Sequence, residues 1–122
     1  MMKIEFTCGH YNKVEAMNDL KGLGNFNHES LSTEIVKYIE DSLLSNMNNK
    51  VETLFISSNS DTVMNACRLF AKKHNQEISL NFKFYDKTGH IEHIQCYDDG
   101  QLSSWPEGFF DYWDKVIFEL LK

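Results

Sequence analysis

The segment from Ile78 to Phe84 alternates apolar and polar side chains without a break, and it constrains the fold more than any other part of the chain. Successive side chains of a β-strand point to opposite faces of the sheet, so this alternation predicts a strand with one buried and one solvated face. The turn-forming residues 86–89 follow directly and predict a hairpin whose partner strand runs over 90–97. The chain therefore contains a sheet.

Apolar residues at helical spacing predict two helices, one in the first half of the chain and one at the start of the second half. One runs from Leu31 to about Ser45 with Ser30 as its N-cap, and the other begins near Asp61 and ends at the Lys72-Lys73 pair. These helices need a sheet on which to bury their apolar sides.

Two more strands and a last helix complete the predicted order. Strands are predicted over 3–7 and 51–57, and the second is a short apolar run typical of a central strand covered on both faces. Residues 11–27 predict mostly loop. The Ser104-Trp105-Pro106-Glu107 sequence has the form of a capping box and predicts the start of the final helix.

The resulting order, β–loop–α–β–α–β–β–α, predicts the α/β fold class. We expect one domain over residues 1–122, with a small, partly parallel, layered sheet, helices packed on it, a terminal β-hairpin and a C-terminal helix. The final helix presents an apolar side made of Phe109, Phe110, Trp113, Val116, Ile117, Leu120 and Leu121.

Composition excludes several classes of function. The net charge of −6 argues against binding to nucleic-acid phosphates, and the absence of a long apolar run argues against a membrane span. The N-terminus has no apolar segment of signal-peptide length, so we expect a cytoplasmic protein. Three cysteines without a short C-x-x-C spacing predict neither a disulfide framework nor a zinc ribbon.

Two groups of polar residues have the side chains of a catalytic pair or of a metal site, but their spacing does not favour either function. Cys8 and His10 are near neighbours on an extended chain with no Asn or Asp to orient the imidazole, so we predict no nucleophile–base pair. His90 and His93 fall on opposite sides of a strand, and a solvent-facing hairpin is the better interpretation than a metal site. We expect no metal.

Two junctions carry a resemblance to a known family. Residues 98–111 read DDGQLSSWPEGFFD, and residues 56–61 read ISSNSD. The first resembles the D-x-x-G-x-x-x-x-W-P-E-G-F-F-D-like segment of prokaryotic ABC-type ATPases, most closely the overcoming-lysogenization-defect-like group. The second resembles the Glu-Thr-His-Ser-Asp-like strand end of the same group, and His28 lies where that group has a His-Leu-His-Pro-like segment. The resemblance spans residues 25–121 and implies the C-terminal lobe of such an ATPase.

The chain departs from this family where ATP chemistry is carried out. It has no G-x-x-x-x-G-K-[ST] loop to cradle phosphates and no strand that ends in a paired Asp-Glu. Asn59 occupies the position that the resemblance gives to the switch histidine. A carboxamide, unlike an imidazole, cannot take up a proton near neutral pH. We therefore expect no independent ATP hydrolysis, no catalytic residue and no cofactor.

The sequence leaves three hypotheses for function. The first is a non-catalytic protein-binding or regulatory module whose partner is a full-length ATPase or a companion protein, with a candidate partner surface at Trp105, Phe109 and Trp113. The resemblance implies a prokaryotic defence or anti-defence setting for it. Its physical rationale is that an orphaned half of a larger sheet tends to leave an edge strand or an apolar face uncovered, and such a surface pairs with another chain. The second hypothesis is a homodimer whose interface replaces the missing ATPase lobe. The third is a small phosphate- or nucleotide-binding protein. Its candidate anion contacts, which are equally candidates for contact with a partner, are Ser58, Asn59, Ser60, Asp61 and His28.

Overall fold

The computed structural model describes residues 1–10, 32–110 and 112–122, with side chains described for all of these except 32 and 112–115. The predictions for residues 11–27, the N-cap at Ser30 and the role of His28 lie outside the described residues. The elements, in chain order, are β1 (Met2–Gly9), α1 (Ser32–Asn48), β2 (Thr53–Ser57), α2 (Asp61–Lys73), β3 (Ile78–Tyr85), β4 (Ile91–Gln95) and α3 (Tyr112–Leu120).

The predicted α/β class is confirmed, and the sheet is partly parallel as expected. The strand order is β2-β1-β3-β4, in which β1 pairs in parallel with both β2 and β3. The last two strands form the antiparallel hairpin that the alternating segment predicts. The hairpin turn is held by the carboxylate of Asp86, whose Oδ1 accepts hydrogen bonds from the backbone N–H groups of Thr88 and His90.

The two faces of the sheet differ in chemistry. Facing residues in register, such as Ile4, Leu54 and Leu80, are buried, whereas their sequence neighbours turn to the opposite face and are mostly polar. Helices α1 and α2 contact each other and bury their apolar sides in the same core. Among the described residues, both helices therefore lie on one face of the sheet, and we call the opposite face, on which Phe55 is exposed, the open face.

Helix α2 begins where the sequence predicts, because its N-cap is supplied locally. Ser60 has an extended backbone, and its Oγ accepts a hydrogen bond from the N–H of Val63. The basic residues Lys72 and Lys73 lie in the last turn, where they stabilise the negative end of the helix. No helix in the described part of the chain is long and apolar enough to cross a bilayer.

The prediction that β2 is a central strand is wrong, because β2 lies at the edge of the sheet formed by the described strands. Phe55, in the middle of its apolar run, is 65% exposed and lies on the open face. The N-terminal strand β1 occupies the centre instead. A run of three apolar residues does not by itself say whether helices cover one face of a sheet or both.

The predicted start of the last helix is also wrong. Helix α3 begins at Tyr112, and the Ser104–Glu107 sequence lies before it, where the Phe109 N–H donates to the Pro106 carbonyl and closes a turn at residues 107–108. Gly108 and Phe110 have φ angles of +88° and +49°, and left-handed residues cannot continue a right-handed helix. Phe109 therefore belongs to a turn and not to the helix.

Candidate functional site

The candidate contacts of the 58–61 segment lie at the carboxyl edge of the parallel strands. β1 and β2 run side by side with Thr7 opposite Ser57, so the residues that follow them meet at the same end of the sheet. The Ser58 N–H donates to the carbonyl of Thr7, which extends this pairing by one residue. In α/β sheets, ligands bind at the carboxyl ends of strands, and this edge is therefore the place to look for a site.

Asn59 is bonded to the backbone of Gly9 by both ends of its carboxamide. Its Oδ1 accepts from the Gly9 N–H at 2.7 Å, and its Nδ2 donates to the Gly9 carbonyl at 3.1 Å. The amide thus pairs with both backbone groups of one residue, as a neighbouring strand would. At the position that the resemblance gives to a switch histidine, the side chain joins the end of β1 to the turn that leads into α2.

Gly9 is the residue around which this junction is built. Its φ is +97°, and a Cβ atom added there would lie 2.3 Å from the carbonyl oxygen of Tyr85. The next residue, His10, donates its N–H to that same Tyr85 carbonyl at 2.7 Å. Only glycine fits, because the backbone needs both the left-handed conformation and the close approach to β3.

The two serine hydroxyls at this junction also serve the turn. Ser58 Oγ accepts from the Ser60 N–H at 3.0 Å, and Ser60 Oγ caps the N–H of Val63 at 3.4 Å. Asp61 adds a carboxylate in the first turn of α2, where it stabilises the positive end of the helix. A second anion at the same place would be repelled by that carboxylate.

Cys8 is chemically inert in this environment. Its side chain lies on the core face, and burial raises the pKa of its thiol to about 12. A cysteine acts as a nucleophile through its thiolate, and the thiolate is absent at neutral pH when the pKa is this high. The pKa of the Cys67 thiol is also about 12, mainly because the side chain is buried and secondarily because Cys96 lies nearby.

A groove of about 390 Å³ lies beside the hairpin turn and is lined by groups of both charges, among them Asp86, Lys87 and Glu107. The hydrogen bond from the Thr88 hydroxyl is the main reason why the pKa of Asp86 is lowered. Its Oδ1 is thereby engaged in holding the turn. Among the described residues, no three His, Cys, Asp or Glu side chains come together as a metal site requires.

The aromatic residues of the candidate partner surface differ in exposure. Phe109 is fully buried and packs edge-to-face against Phe82, Phe84 and Trp105 at ring-centroid distances of 5.7, 5.6 and 5.1 Å. The ring of Phe109 therefore belongs to the core, where the turn at Gly108 places it. The indole of Trp105 is 47% exposed, and the side chain of Trp113 lies outside the described ones.

Arg68 holds the segment that contains Trp105 against helix α2. Its guanidinium lies 5.7 Å from the centroid of the Trp105 ring, and its Nε donates to the Gly100 carbonyl at 3.0 Å. The Asp-Asp-Gly turn and the Trp-Pro-Glu-Gly-Phe-Phe sequence are in this way joined through one cation. Sequence reasoning missed Arg68, because nothing in the local pattern of α2 distinguishes it from a solvated charge.

Helix α3 and the residue that follows it expose a set of large apolar side chains, most of which helical periodicity assigns to a packed face. We call them the tail surface, and their exposed fractions range from 52% to 80%. The set consists of Ile117, Phe118, Leu120 and Leu121. Val116, one residue earlier, is half-buried. The sequence predicts that most of these residues lie on one side of the helix, but it does not predict that this side is exposed to solvent.

One comparison with known proteins gives a match. Residues 74–120 match the model of a family described as "Protein of unknown function (DUF3696)". The match covers β3, β4, the Trp105 segment and all of α3, and amounts to less than half of the chain. No curated protein and no solved structure matches the chain.

Proposed function

We propose that this chain is a non-catalytic protein-binding module related to the C-terminal lobe of ABC-type ATPases, and that its partner is a full-length ATPase of that kind. The matched family is in general associated with ATPases, which supports the resemblance carried by residues 98–111. The resemblance further suggests a regulatory role in a prokaryotic defence or anti-defence system.

The observation that carries this proposal is the tail surface. Leu120 and Leu121 are 77% and 80% exposed, at the end of a helix whose apolar residues would bury readily in a groove. A monomeric protein rarely leaves adjacent large apolar side chains in water without a use for them. Helices that bind in grooves use anchors spaced three and four residues apart, and Ile117, Leu120 and Leu121 have that spacing.

The energy available from such anchors is adequate for a specific complex. Full burial of one large apolar side chain contributes about 1.5–3 kcal/mol. Association itself has a cost of several kcal/mol in lost translational and rotational freedom. A stable complex therefore has to bury several members of the tail surface at once, which favours a partner with a preformed apolar groove.

The engagement of Asn59 supports the non-catalytic part of the proposal. A switch residue must be able to change its contacts during turnover, whereas the Asn59 carboxamide is committed to Gly9 at both ends. The absence of a phosphate loop from the sequence points the same way.

A phosphate- or nucleotide-binding role receives less support from the same junction. The hydroxyls of Ser58 and Ser60 accept hydrogen bonds from backbone N–H groups of their own turn. The Asp61 carboxylate opposes an incoming phosphate. Equilibrium dialysis against ATP and inorganic phosphate is expected to give no saturable binding.

The proposal is tested with a purified full-length ABC-type ATPase that carries a segment like residues 98–111. The wild-type chain is expected to co-elute with it on size exclusion and to change its ATP turnover, while having no turnover alone. The Leu120→Lys variant should lose both effects, because the charge would be buried in the partner's groove. Phe55→Lys is the matched control, since Phe55 is comparably exposed but lies on β2.

Two results would contradict the proposal. ATP hydrolysis by the isolated chain would refute the non-catalytic part. Complex formation that is insensitive to Leu120→Lys, or no complex with the ATPase at all, would remove the tail surface as the binding site or the ATPase as the partner.

A further inference from the structure

We propose that Arg68 is a positioning residue for the tail surface. Because it holds Trp105 against helix α2, Arg68 fixes the turn at Phe109 and Phe110 from which helix α3 starts, and thereby the place of the tail surface relative to the sheet. The binding part of this inference rests on the proposed function. Its structural part concerns the isolated chain and is tested without the ATPase, so the inference and the proposed function can fail separately.

The guanidinium of Arg68 makes three contacts, and none of them is with a carboxylate of the described residues. Its Nε donates to the Gly100 carbonyl at 3.0 Å, and the group lies 5.7 Å from the centroid of the Trp105 ring. Its Nη1 donates to Oδ1 of Asn65 in the same helix at 3.1 Å, which orients the planar group. Arg68 therefore contacts the residues at both ends of the 100–105 segment from one position on α2.

Trp105 connects Arg68 to the core. Its ring contacts Phe109 edge-to-face at a centroid distance of 5.1 Å, and Phe109 is fully buried against Phe82 and Phe84 of strand β3. Among the described residues, Arg68 and Phe109 make the two ring contacts of Trp105, whose indole is 47% exposed. Removal of the Arg68 side chain therefore leaves the indole with the Phe109 ring contact alone.

The turn that follows Trp105 has a strained backbone. Gly108 and Phe110 have φ angles of +88° and +49°. A residue with a side chain adopts a positive φ at an energetic cost, and it keeps that conformation only where its surroundings enforce it. Here the Phe110 ring packs edge-to-face on Phe109 at 4.8 Å and on Phe6 at 6.3 Å. Helix α3 begins shortly afterwards, at Tyr112, so its direction depends on the conformation of this turn.

The tail surface lies at the far end of helix α3, where a small change in direction becomes a large displacement. An α-helix rises about 1.5 Å per residue, so Leu121 lies about 14 Å beyond the start of α3, and a change of about 20° at the turn would move it by about 5 Å. A preformed groove binds anchors most tightly when they already have their bound arrangement, because less conformational entropy is then lost. A residue that holds the turn therefore raises the affinity of the tail surface without contacting the partner.

The first test measures the backbone order of helix α3 in the isolated chain by 15N relaxation. In wild type, the amides of residues 116–119 are expected to have order parameters of about 0.85, and Arg68→Ala should lower them below about 0.6. The amides of β3 should not change. Lys73→Ala is the matched control, because it removes a cation from the same helix whose salt bridge is with Glu40 and not with the Trp105 segment.

Three results of this measurement would overturn the inference. The first is low order at residues 116–119 in wild type, and the second is no change in Arg68→Ala. The third is an equal loss of order in β3, which would show that Arg68 supports the fold as a whole.

Further variants test whether Arg68 acts through its charge and through Trp105. Arg68→Lys keeps a cation and should restore about half of the lost order, whereas the uncharged Arg68→Gln should behave like Arg68→Ala. Trp105→Ala should give the same loss as Arg68→Ala, and the double variant should lose no more, because the two residues act as one unit. Additive losses, or equal order in Arg68→Lys and Arg68→Gln, would contradict this route.

Calorimetric titration of the full-length ATPase tests the binding part. Arg68→Ala should raise the dissociation constant about tenfold relative to wild type, while Lys73→Ala should leave it unchanged. Binding by wild type that Arg68→Ala does not weaken would overturn the inference and leave the proposed function intact. No binding by wild type would refute the proposed function, and the order parameters would still decide whether Arg68 positions the helix.

Discussion

Asn59 and Gly9 exchange two hydrogen bonds, so that a side-chain amide pairs with the N–H and the C=O of the last residue of strand β1. The contact joins residues that are 50 positions apart in the sequence. It closes the carboxyl edge of the sheet between β1 and the turn that leads into α2. A side chain at a position associated with catalysis in the resembling family thus has a structural function here.

Replacing Asn59 by Ala is expected to destabilise the fold without changing any nucleotide interaction. Each net hydrogen bond contributes about 0.5–1.5 kcal/mol, so losing both should lower the free energy of unfolding by about 1–3 kcal/mol. Urea denaturation followed by circular dichroism measures this difference. An Asn59→Ala variant as stable as wild type would show that the two bonds are replaced by water at no cost.

Gly9→Ala should be far more damaging than Gly89→Ala, although both glycines have positive φ. A Cβ at Gly9 would lie 2.3 Å from the Tyr85 carbonyl oxygen, whereas a Cβ at Gly89 would meet nothing within 4 Å. Gly89→Ala should cost only the left-handed strain of about 1 kcal/mol. Thermal melts of the two variants distinguish backbone strain from steric overlap of the added Cβ. Equal losses of stability in the two variants would contradict the close approach of β1 to β3.

Phe109→Ala should destabilise the chain by about 3–5 kcal/mol, the range for removing a buried aromatic ring. The ring contacts Phe82, Phe84, Trp105 and Phe110, and no part of it is exposed. Trp105→Ala is the control and should have a smaller effect, because the indole is half exposed. If Phe109→Ala is the milder change in chemical denaturation, the ring does not occupy the core.

Stability should fall on the alkaline side because of Cys67. The pKa of its buried thiol is about 12 against 9.0 for an exposed one. The unfolded chain therefore loses this proton first, and the stabilisation is complete below pH 9 and is lost as the pH rises through 12. The slope is about 1.4 kcal/mol per pH unit in that window.

Cys67→Ala isolates this effect from the lysines and tyrosines that titrate in the same range. The variant should be less stable than wild type at pH 8, because of the lost packing, but should lose stability less steeply between pH 9 and pH 10.5 in urea titrations. Parallel slopes for the two proteins would mean that the thiol is accessible to water.

Much of the fold was predictable because local patterns and long-range packing agree. The alternation from Ile78 to Phe84 appears as strand β3, and the Ser60 cap starts α2 where expected. The position of β2 at the edge was not predictable, because nothing within Thr-Leu-Phe-Ile-Ser says which strand lies beside it. That depends on β1, which is 50 residues away in register.

The sequence predicts a strand-to-helix turn at residues 58–61, and the structure has one there. The junction at Ser58–Asp61 lies at the carboxyl edge of the sheet, as a strand-to-helix turn must in an α/β fold. Its hydrogen bonds to Gly9 come from tertiary structure and have no signal in the sequence. The capping-box pattern at Ser104 does not start a helix, because the backbone at Gly108 and Phe110 has positive φ angles. The capping-box residues themselves carry no signal of that conformation.

The most direct test of the central claim is a calorimetric titration of the full-length ATPase with wild-type chain and with Leu120→Lys. A protein-binding module that uses the tail surface predicts saturable binding by wild type and a dissociation constant at least about tenfold higher for the variant, with the variant's thermal stability unchanged. Indistinguishable isotherms for the two proteins, or no heat with either, would contradict the claim.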